Sequence, residues 1–155
     1  MRILQENPHK KMTGGEKAAL LSSLAAIEAA SFSDPWSERM FAEALDNPAI
    51  TLFVLFEDET LVAYALFVIL SPEAELLNIA VAPTLRRSGA ARMLLDYADG
   101  VLLERGVSET FLEVRESNTA ARALYSSRGF VPVGKRKNYY RYPTEDAIVM
   151  MCVRD

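Results

Sequence analysis

The sequence predicts one α+β domain with a mixed, mostly antiparallel sheet, two parallel central strands and flanking helices. Three apolar stretches follow one another with only short turns between them, which is typical of an antiparallel meander. An amphipathic helix and another strand follow the third stretch, and this order predicts a parallel pair. Two further strands close the chain as a hairpin. The length of 155 residues suits one domain, so we expect residues 1–155 to fold as one unit.

Each predicted element has its own boundary signal or apolar period. Helices begin after capping residues such as Ser37 and end at Gly106 or at turns that contain proline. Strands are short apolar runs separated by turn residues such as Asp58 and Glu59. The predicted helices span about residues 15–31, 38–45, 89–104 and 118–127, and the predicted strands span 50–57, 61–70, 74–81, 109–114, 129–136 and 146–153.

The N-terminal region leaves two alternatives open. Residues 1–14 are largely polar, so they predict either a short edge strand around Ile3 and Leu4 or a loose extension. The predicted helix over residues 15–31 also resembles the apolar part of a secretion signal. Glu28 and two serines interrupt that apolar run, which favours an internal amphipathic helix.

Composition excludes several functional classes. The net charge of −4 argues against a nucleic-acid partner, and no apolar run reaches the roughly 20 residues of a membrane-spanning helix. Cys152 is the only cysteine, which excludes an internal disulfide and predicts a buried structural thiol in a reducing, cytoplasmic protein. His9 is the only histidine, so neither a metal site nor a histidine-based triad is predicted.

Residues 86–92 form a basic loop of small residues that opens the third predicted helix. Free N–H groups at a helix start bind phosphate well, and Arg86 and Arg87 add positive charge. Gly89 and Ala91 leave room for a diphosphate to approach the backbone. The spacing matches neither a P-loop nor the dinucleotide fingerprint. An ordinary strand-to-helix turn with solvated arginines is the alternative.

Glu113 is a carboxylate among apolar neighbours in the predicted strand over residues 109–114. The strand period places Phe111, Glu113 and Arg115 on one face. Burial would raise the pKa of this carboxyl and make it a usable base. The alternative is an ion pair between Glu113 and Arg115 on a solvated face.

Three further residues have simple local interpretations. Asn118 and Tyr125 lie seven positions apart, so they share one face of the predicted helix over residues 118–127. Taken alone, Asn118 is a capping residue, and Tyr125 is a packing residue with its hydroxyl at the edge of the core. Trp36 is most simply a core residue.

The chain resembles the GNAT superfamily of acyl-CoA N-acetyltransferases, and more closely the RimI-type ribosomal-protein-alanine N-acetyltransferases. The resemblance covers roughly residues 20–153 and rests on many short motifs in register. These motifs are Pro35-Trp36-Ser37, Leu77-Asn78-Ile79-Ala80-Val81, Leu112-Glu113-Val114-Arg115, Ser117-Asn118, Ala123-Leu124-Tyr125, Gly129-Phe130, Asn138-Tyr139-Tyr140 and Glu145-Asp146-Ala147.

The resemblance implies that the two parallel strands splay apart and that acetyl-CoA enters between them. The third meander strand would pair with the pantetheine arm, and the basic loop would cradle the pyrophosphate. The cofactor-binding residues that it implies are Ile79, Ala80, Val81, Arg86, Arg87, Ser88, Gly89, Ala90, Ala91, Arg92 and Asn118.

The resemblance also implies the catalytic roles and the acceptor. Glu113 would be the general base for the incoming α-amine, directly or through water, and Tyr125 would protonate the departing thiolate. Trp36, Tyr139 and Tyr140 would line the acceptor mouth. The implied acceptor is the N-terminal alanine of a small-subunit ribosomal protein, with no metal, nucleic acid or membrane involved.

Departures from the family pattern leave the acceptor open. Ala91 stands where the family often has glycine, residues 5–15 are extra, and the loop over residues 141–144 is short. The loop over residues 141–144 lies where the peptide acceptor would sit, so another protein terminus, a lysine side chain or a small amine is an alternative acceptor. A CoA-binding interaction module without turnover is a further alternative.

Overall fold

The computed structural model describes residues 1–154, and these form seven strands and four α-helices. The strands are β1 (Arg2–Glu6), β2 (Ile50–Glu57), β3 (Thr60–Leu70), β4 (Glu73–Val81), β5 (Glu109–Arg115), β6 (Val131–Tyr140) and β7 (Glu145–Val153). The α-helices are α1 (Gly14–Ser31), α2 (Glu38–Leu45), α3 (Ala90–Glu104) and α4 (Thr119–Ser127), and short 3-10 helices span Pro8–Lys11 and Pro83–Leu85.

The strands form one sheet in the order β1-β2-β3-β4-β5-β7-β6. Strands β2 to β4 form the predicted antiparallel meander, and β6 and β7 form the predicted hairpin. Helix α3 connects β4 to β5, which is the one parallel pair among the described strands. The predicted α+β fold with a mixed, mostly antiparallel sheet is therefore confirmed.

The N-terminal segment forms the edge strand that the sequence left as one of two alternatives. Strand β1 pairs antiparallel with β2 along its length. Asn7 ends it by donating its backbone N–H to the Leu52 carbonyl at 2.7 Å, while its side chain accepts from the Leu52 N–H at 2.9 Å. A capping box between Thr13 and Glu16 then starts α1. Residues 2–6 thus belong to the sheet and are not a loose extension.

Strand β6 differs from its predicted bounds of residues 129–136 at both ends. Gly129 has φ 93°, and the Phe130 N–H donates to the Tyr125 carbonyl at 3.0 Å. A glycine in the left-handed conformation with this hydrogen bond is a common helix C-terminus. Gly129 and Phe130 therefore terminate α4 and do not begin the strand. At its other end β6 continues to Tyr140, because the antiparallel pairing with β7 resumes between Tyr140 and Glu145.

Apolar residues pack on both faces of the sheet. On one face, α1 and α2 pack against the meander through Leu24 and Phe41, which are fully buried. On the other face, α3 packs through Leu94, and Cys152 lies in the same cluster as a buried thiol, as predicted. Among residues 1–154, no helix is long and apolar enough to cross a membrane.

Strands β4 and β5 pair only at their N-terminal ends. The parallel register runs from Glu73↔Glu109 to Leu76↔Leu112, although β4 continues to Val81 and β5 to Arg115. An irregularity in the β3–β4 register lies between Leu66 and Phe67, opposite the point where the pairing with β5 stops. Bulges bend strands, so this one helps to carry β4 away from β5. The splayed pair that the family resemblance implied is therefore present.

A buried carboxylate to which the sequence assigns no partner lies beside this separation. Glu28 of α1 is 1% exposed. It accepts hydrogen bonds from the Tyr64 hydroxyl, from Asn78 Nδ2 at 3.0 Å and from the Trp36 N–H at 3.0 Å. All three partners are donors, which matches the acceptor-only chemistry of an ionised carboxylate. Glu28 thus joins α1, β3, the separated part of β4 and the loop before α2.

We expect Glu28→Ala to lower the free energy of unfolding by about 3 kcal/mol, because three donors that are largely shielded from water lose their acceptor. Urea unfolding followed by circular dichroism measures this change. Glu43→Ala is the matched control, since Glu43 is exposed and pairs only with Arg39 on α2. Its effect should be within about 0.5 kcal/mol. Equal effects of the two variants would contradict a stabilising role for Glu28.

Candidate active site

The gap between the separated ends of β4 and β5 is the candidate active site. Glu113 lies on β5 just beyond Leu112, the last residue that pairs with β4. Leu112 and Val114 belong to the core that contains α3, so the alternating Glu113 projects from the opposite face of the sheet. The predicted base therefore lies where the two strands begin to part.

The Glu113 carboxylate is largely buried and only half satisfied. Its side chain is 14% exposed, and Oε1 lies 3.0 Å from Nε of Arg136. Oε2 is shielded from solvent and has no hydrogen-bond partner among the described residues. The alternative ion pair with Arg115 is wrong, because Arg115 pairs with Glu145 at 3.2 Å. Glu113 thus has one carboxylate oxygen without a hydrogen-bond partner.

A cavity of about 250 Å³ adjoins Glu113 on the side where β4 and β5 are still paired, because Glu73, Ala74 and Glu75 line it and the separated residues of β4 do not. Glu73, Glu75 and Arg136 supply its other charged groups, and apolar side chains supply the rest of its walls. Burial raises the pKa of Glu75, the negative charge of Glu113 raises it further, and Arg136 opposes the shift. Carboxylates therefore outnumber positive charges in the cavity beside the predicted base, and such a cavity favours an amine.

Tyr125 lies on α4 and is 7% exposed. Its ring packs edge-on against Phe130, with 5.9 Å between ring centroids. Burial raises the pKa of the Tyr125 hydroxyl to about 12. Like an ordinary tyrosine, it carries its proton at neutral pH, which the predicted role as general acid requires.

Tyr139 and Tyr140 lie close to Glu113. Backbone irregularity in β6, including φ 53° at Asn138, interrupts the regular alternation of side chains before these two tyrosines. Their rings pack edge-to-face with centroids 5.0 Å apart. Burial raises the pKa of each hydroxyl, and the negative charge of Glu113 is the next cause in both. Tyr139 is exposed at the surface, whereas Tyr140 is half-buried.

Trp36 lies in the loop between α1 and α2. Its ring packs against Phe41 with 5.3 Å between centroids, and its backbone N–H is held by Glu28. The side chain is half-buried, so it contributes to the core, as the local interpretation predicts. Its predicted contact with an acceptor stays a prediction.

The start of α3 has the local geometry that the anion-binding prediction requires, and binding itself stays a prediction. Gly89 is the N-cap and has φ 81°, a left-handed conformation that favours glycine. No atom lies within 4 Å of a Cβ placed on Gly89, so the approach to its backbone is open. The N–H groups of the first turn, at Ala90, Ala91 and Arg92, have no partner within the helix. Arg87 precedes them with φ 64°.

Arg86 and Ser88 make contacts within the protein. The Arg86 guanidinium donates to Ser31 Oγ at 3.0 Å and to the Ala30 carbonyl at 3.3 Å, at the end of α1. Ser88 Oγ donates to the Leu85 carbonyl at 2.5 Å. The arginine side chain is therefore turned toward α1 in this structure, and its contact with a phosphate stays a prediction.

The remaining predicted cofactor residues lie on β4 and α4. Ile79, Ala80 and Val81 pair with β3, and within residues 1–154 no strand pairs with their other edge. Their backbone groups on that side are available to an extended ligand. Asn118 is the N-cap of α4, and its side chain accepts from the Ala121 N–H at 3.2 Å, as the local pattern predicts.

Sequence reasoning missed two charged residues at the margins of this site. Glu28 interrupts the apolar stripe of α1, and a lone acidic residue in such a stripe is a signal for a buried network. Arg115 shares a face of β5 with Glu113, but it was considered only as the partner of that carboxylate. Both residues contact loops that border the gap.

The chain belongs to the acetyltransferase (GNAT) family, whose model matches residues 21–130. It is 42% identical over 128 residues to the [ribosomal protein bS18]-alanine N-acetyltransferase of Escherichia coli K12, covering 80% of this chain and 84% of that protein. It is 39% identical over 129 residues to the enzyme of the same name from Haemophilus ducreyi, covering 80% and 87%.

The fold is also similar to a solved structure. The crystal structure of the ribosomal-protein-S18-alanine N-acetyltransferase from Escherichia coli superposes with a TM-score of 0.86 at 35% identity, covering 99% of this chain and 94% of that one. The resemblance inferred from the motifs is therefore confirmed, and the predicted enzyme class, an N-acetyltransferase, is that of the family.

The raised pKa of Tyr125 predicts a pH dependence of stability. The folded state holds this proton more tightly than the unfolded state, where the ordinary pKa is 10.0. The resulting stabilisation is complete below pH 10 and is lost as the pH rises toward 12. We expect the wild type to lose about 1–3 kcal/mol more free energy of unfolding than Tyr125→Phe over this range.

Urea unfolding of both proteins at closely spaced pH values measures this difference. Between pH 7 and 9 the difference between the two proteins should stay constant, which provides the internal control. Parallel stability curves up to pH 12 would show that Tyr125 titrates like an exposed tyrosine.

Proposed function

We propose that this protein transfers the acetyl group of acetyl-CoA to the N-terminal α-amine of a protein, and that its acceptor is the N-terminal alanine of a ribosomal protein. The observation that carries the proposal is the parting of β4 and β5 directly beside the Glu113 carboxylate. The relatives whose names specify alanine of ribosomal protein bS18 match 80% of this chain, which supports this acceptor class.

The residues around the gap fit acetyl-CoA as the donor. The free edge of β4 suits an extended arm that carries amide groups, because backbone can pair with it as an added strand. The open turn at Gly89 offers backbone N–H groups to a diphosphate at the positive end of α3. When bound, acetyl-CoA supplies an activated acetyl group.

Glu113 is the proposed base for the acceptor amine. An N-terminal α-amine has a pKa of about 7.7–8, so only modest help is needed to make it a nucleophile. Glu113 Oε2 would take the proton from the amine, directly or through water, because this oxygen has no protein partner. Arg136, which lies 3.0 Å from Oε1, orients the carboxylate.

Tyr125 is the proposed acid for the leaving group. Its hydroxyl is protonated at neutral pH, as that of an ordinary tyrosine is, and burial raises its pKa further. Delivery of this proton to the departing thiolate would prevent its return to the acetyl group. In this proposal the amine attacks the donor directly, without an acetylated protein group. Cys152 is buried in the core that contains α3, where it is not available as a nucleophile.

A small cationic amine is the second candidate acceptor. The cavity beside Glu113 carries Glu73 and Glu75 against the single positive charge of Arg136. An acidic cavity of this kind would attract a polyamine as well as a peptide amine. The same assay separates the two acceptors.

We expect the acetyl group of radiolabelled acetyl-CoA to be transferred to peptides that begin with alanine. Transfer to polyamines should be weaker or absent. Radiolabelled acetyl-CoA with candidate N-terminal peptides provides the measurement. The same peptides with a blocked N-terminus are the control for acetylation of lysine side chains. Transfer to free amines, with none to alanine-starting peptides, would refute the proposed acceptor.

We expect Glu113→Gln to lower kcat/KM by about 10²–10⁴-fold, the range of general acid–base catalysis. The loss should shrink as the pH rises above about 8, where the amine deprotonates without help. Affinity for CoA, measured by calorimetry, should be retained. Glu109→Gln changes a carboxylate of the same strand outside the gap and should leave activity unchanged. Wild-type turnover by Glu113→Gln would rule out this carboxylate as the base.

A further inference from the structure

Two loops border the gap on the side of the proposed acceptor. One loop spans residues 32–37 between α1 and α2 and contains Trp36. The other spans residues 141–144 between β6 and β7 and directly follows Tyr140. Neither loop is part of the sheet, so side chains must hold both loops in place relative to Glu113.

Arg115 holds the second of these loops. Its guanidinium donates to the Arg141 carbonyl at 2.6 Å and to the Pro143 carbonyl at 2.9 Å. It also donates to the Glu145 carboxylate at 3.2 Å. Glu145 in turn accepts from the Ser117 N–H at 2.6 Å, which ties the start of β7 to the turn before α4.

The same guanidinium reaches the first loop and the acceptor mouth. It donates to Ser33 Oγ at 3.3 Å, and its central carbon lies 4.6 Å from the centroid of the Tyr140 ring. The Arg115 side chain is 22% exposed, so its ion pair is partly shielded from water. One side chain thus contacts both loops and one of the two tyrosines that line the proposed mouth.

The position of Arg115 explains why these contacts matter for Glu113. The two residues are two positions apart on β5, so they project from the same face of the same strand. β5 is fixed by pairing with β7 along its whole length. Arg115 therefore sets the distance of both loops from the carboxylate through a rigid strand.

A second, weaker link joins the same loops. Arg141 lies 3.2 Å from Asp34, but these side chains are 68% and 49% exposed. Exposed ion pairs contribute little in water, so this link does not replace Arg115.

We propose that Arg115 is a positioning residue for the acceptor, which aligns the loops at residues 32–37 and 141–144 with Glu113 and leaves the donor site on β4 and α3 unaffected. This inference rests on the proposed function, since it concerns the acceptor side of the same site. A lysine cannot reproduce the role, because an ammonium is a compact charge without the planar fork that contacts several carbonyls at once.

Steady-state kinetics of Arg115→Ala and Arg115→Lys, with separate variation of an alanine-starting peptide and acetyl-CoA, tests the proposal. We expect KM for the peptide to rise about ten- to hundredfold in Arg115→Ala, as loss of one or two charge-assisted hydrogen bonds predicts. Arg115→Lys should recover only a small part of this loss. KM for acetyl-CoA should stay close to the wild-type value in both variants.

Arg128→Ala is the matched control for a purely structural arginine. Arg128 is similarly shielded and pairs with Asp96 at 2.8 Å and Asp99 at 2.6 Å, both on α3. This variant should lower the thermal midpoint without changing KM for the peptide. If Arg115→Ala does not fold, Arg115→Lys carries the same kinetic test.

The outcomes separate this inference from the proposed function. Wild-type protein that acetylates no alanine-starting peptide overturns the proposed function and the inference together. An active wild type combined with an unchanged peptide KM in the Arg115 variants overturns only the inference. Equal rises in KM for the peptide and for acetyl-CoA also overturn it, because they indicate general loosening of the fold.

Discussion

The early end of the pairing between β4 and β5 is the constraint on which the rest of the site depends. β4 and β5 pair only through Glu73–Leu76 and Glu109–Leu112. Beyond Leu76 and Leu112, the facing edge of each strand is therefore free. Free backbone edges inside a domain are costly unless they meet a ligand or water. β3 and β7 hold the two strands from their outer sides, which keeps the gap open without a strand to fill it.

Buried charges hold the two sides of this gap in place. Glu28 connects α1 with Asn78 on β4, and Arg115 connects β5 with loops on both sides of the acceptor mouth. Each of these groups is matched by several hydrogen-bond partners, which offsets the cost of removing a charge from water. Glu113 differs from them, because one of its oxygens is buried without a partner. That deficit favours a chemical role over a structural one.

Local patterns predicted most of the fold because the apolar periods of helices and strands are properties of short segments. The α3 stripe, the meander and the capping of α4 by Asn118 follow from such patterns. The predicted element boundaries that are wrong lie where a local sequence pattern fits two different structures. Gly129 was assigned to a strand, yet its positive φ ends a helix. Tyr140 lies beyond the predicted end of β6 at residue 136, because pairing with β7 across an irregular stretch has no local signature.

The sequence by itself determined the order of the elements, the basic turn at Gly89 and the family, because these depend on spacing along the chain. Only the tertiary structure decided which charges meet. Arg136 rather than Arg115 faces Glu113, and Arg86 turns toward α1. Such pairs join residues far apart in the chain, and the choice among several arginines depends on strand register and loop path. A difference of one residue in register moves a side chain to the other face of the sheet.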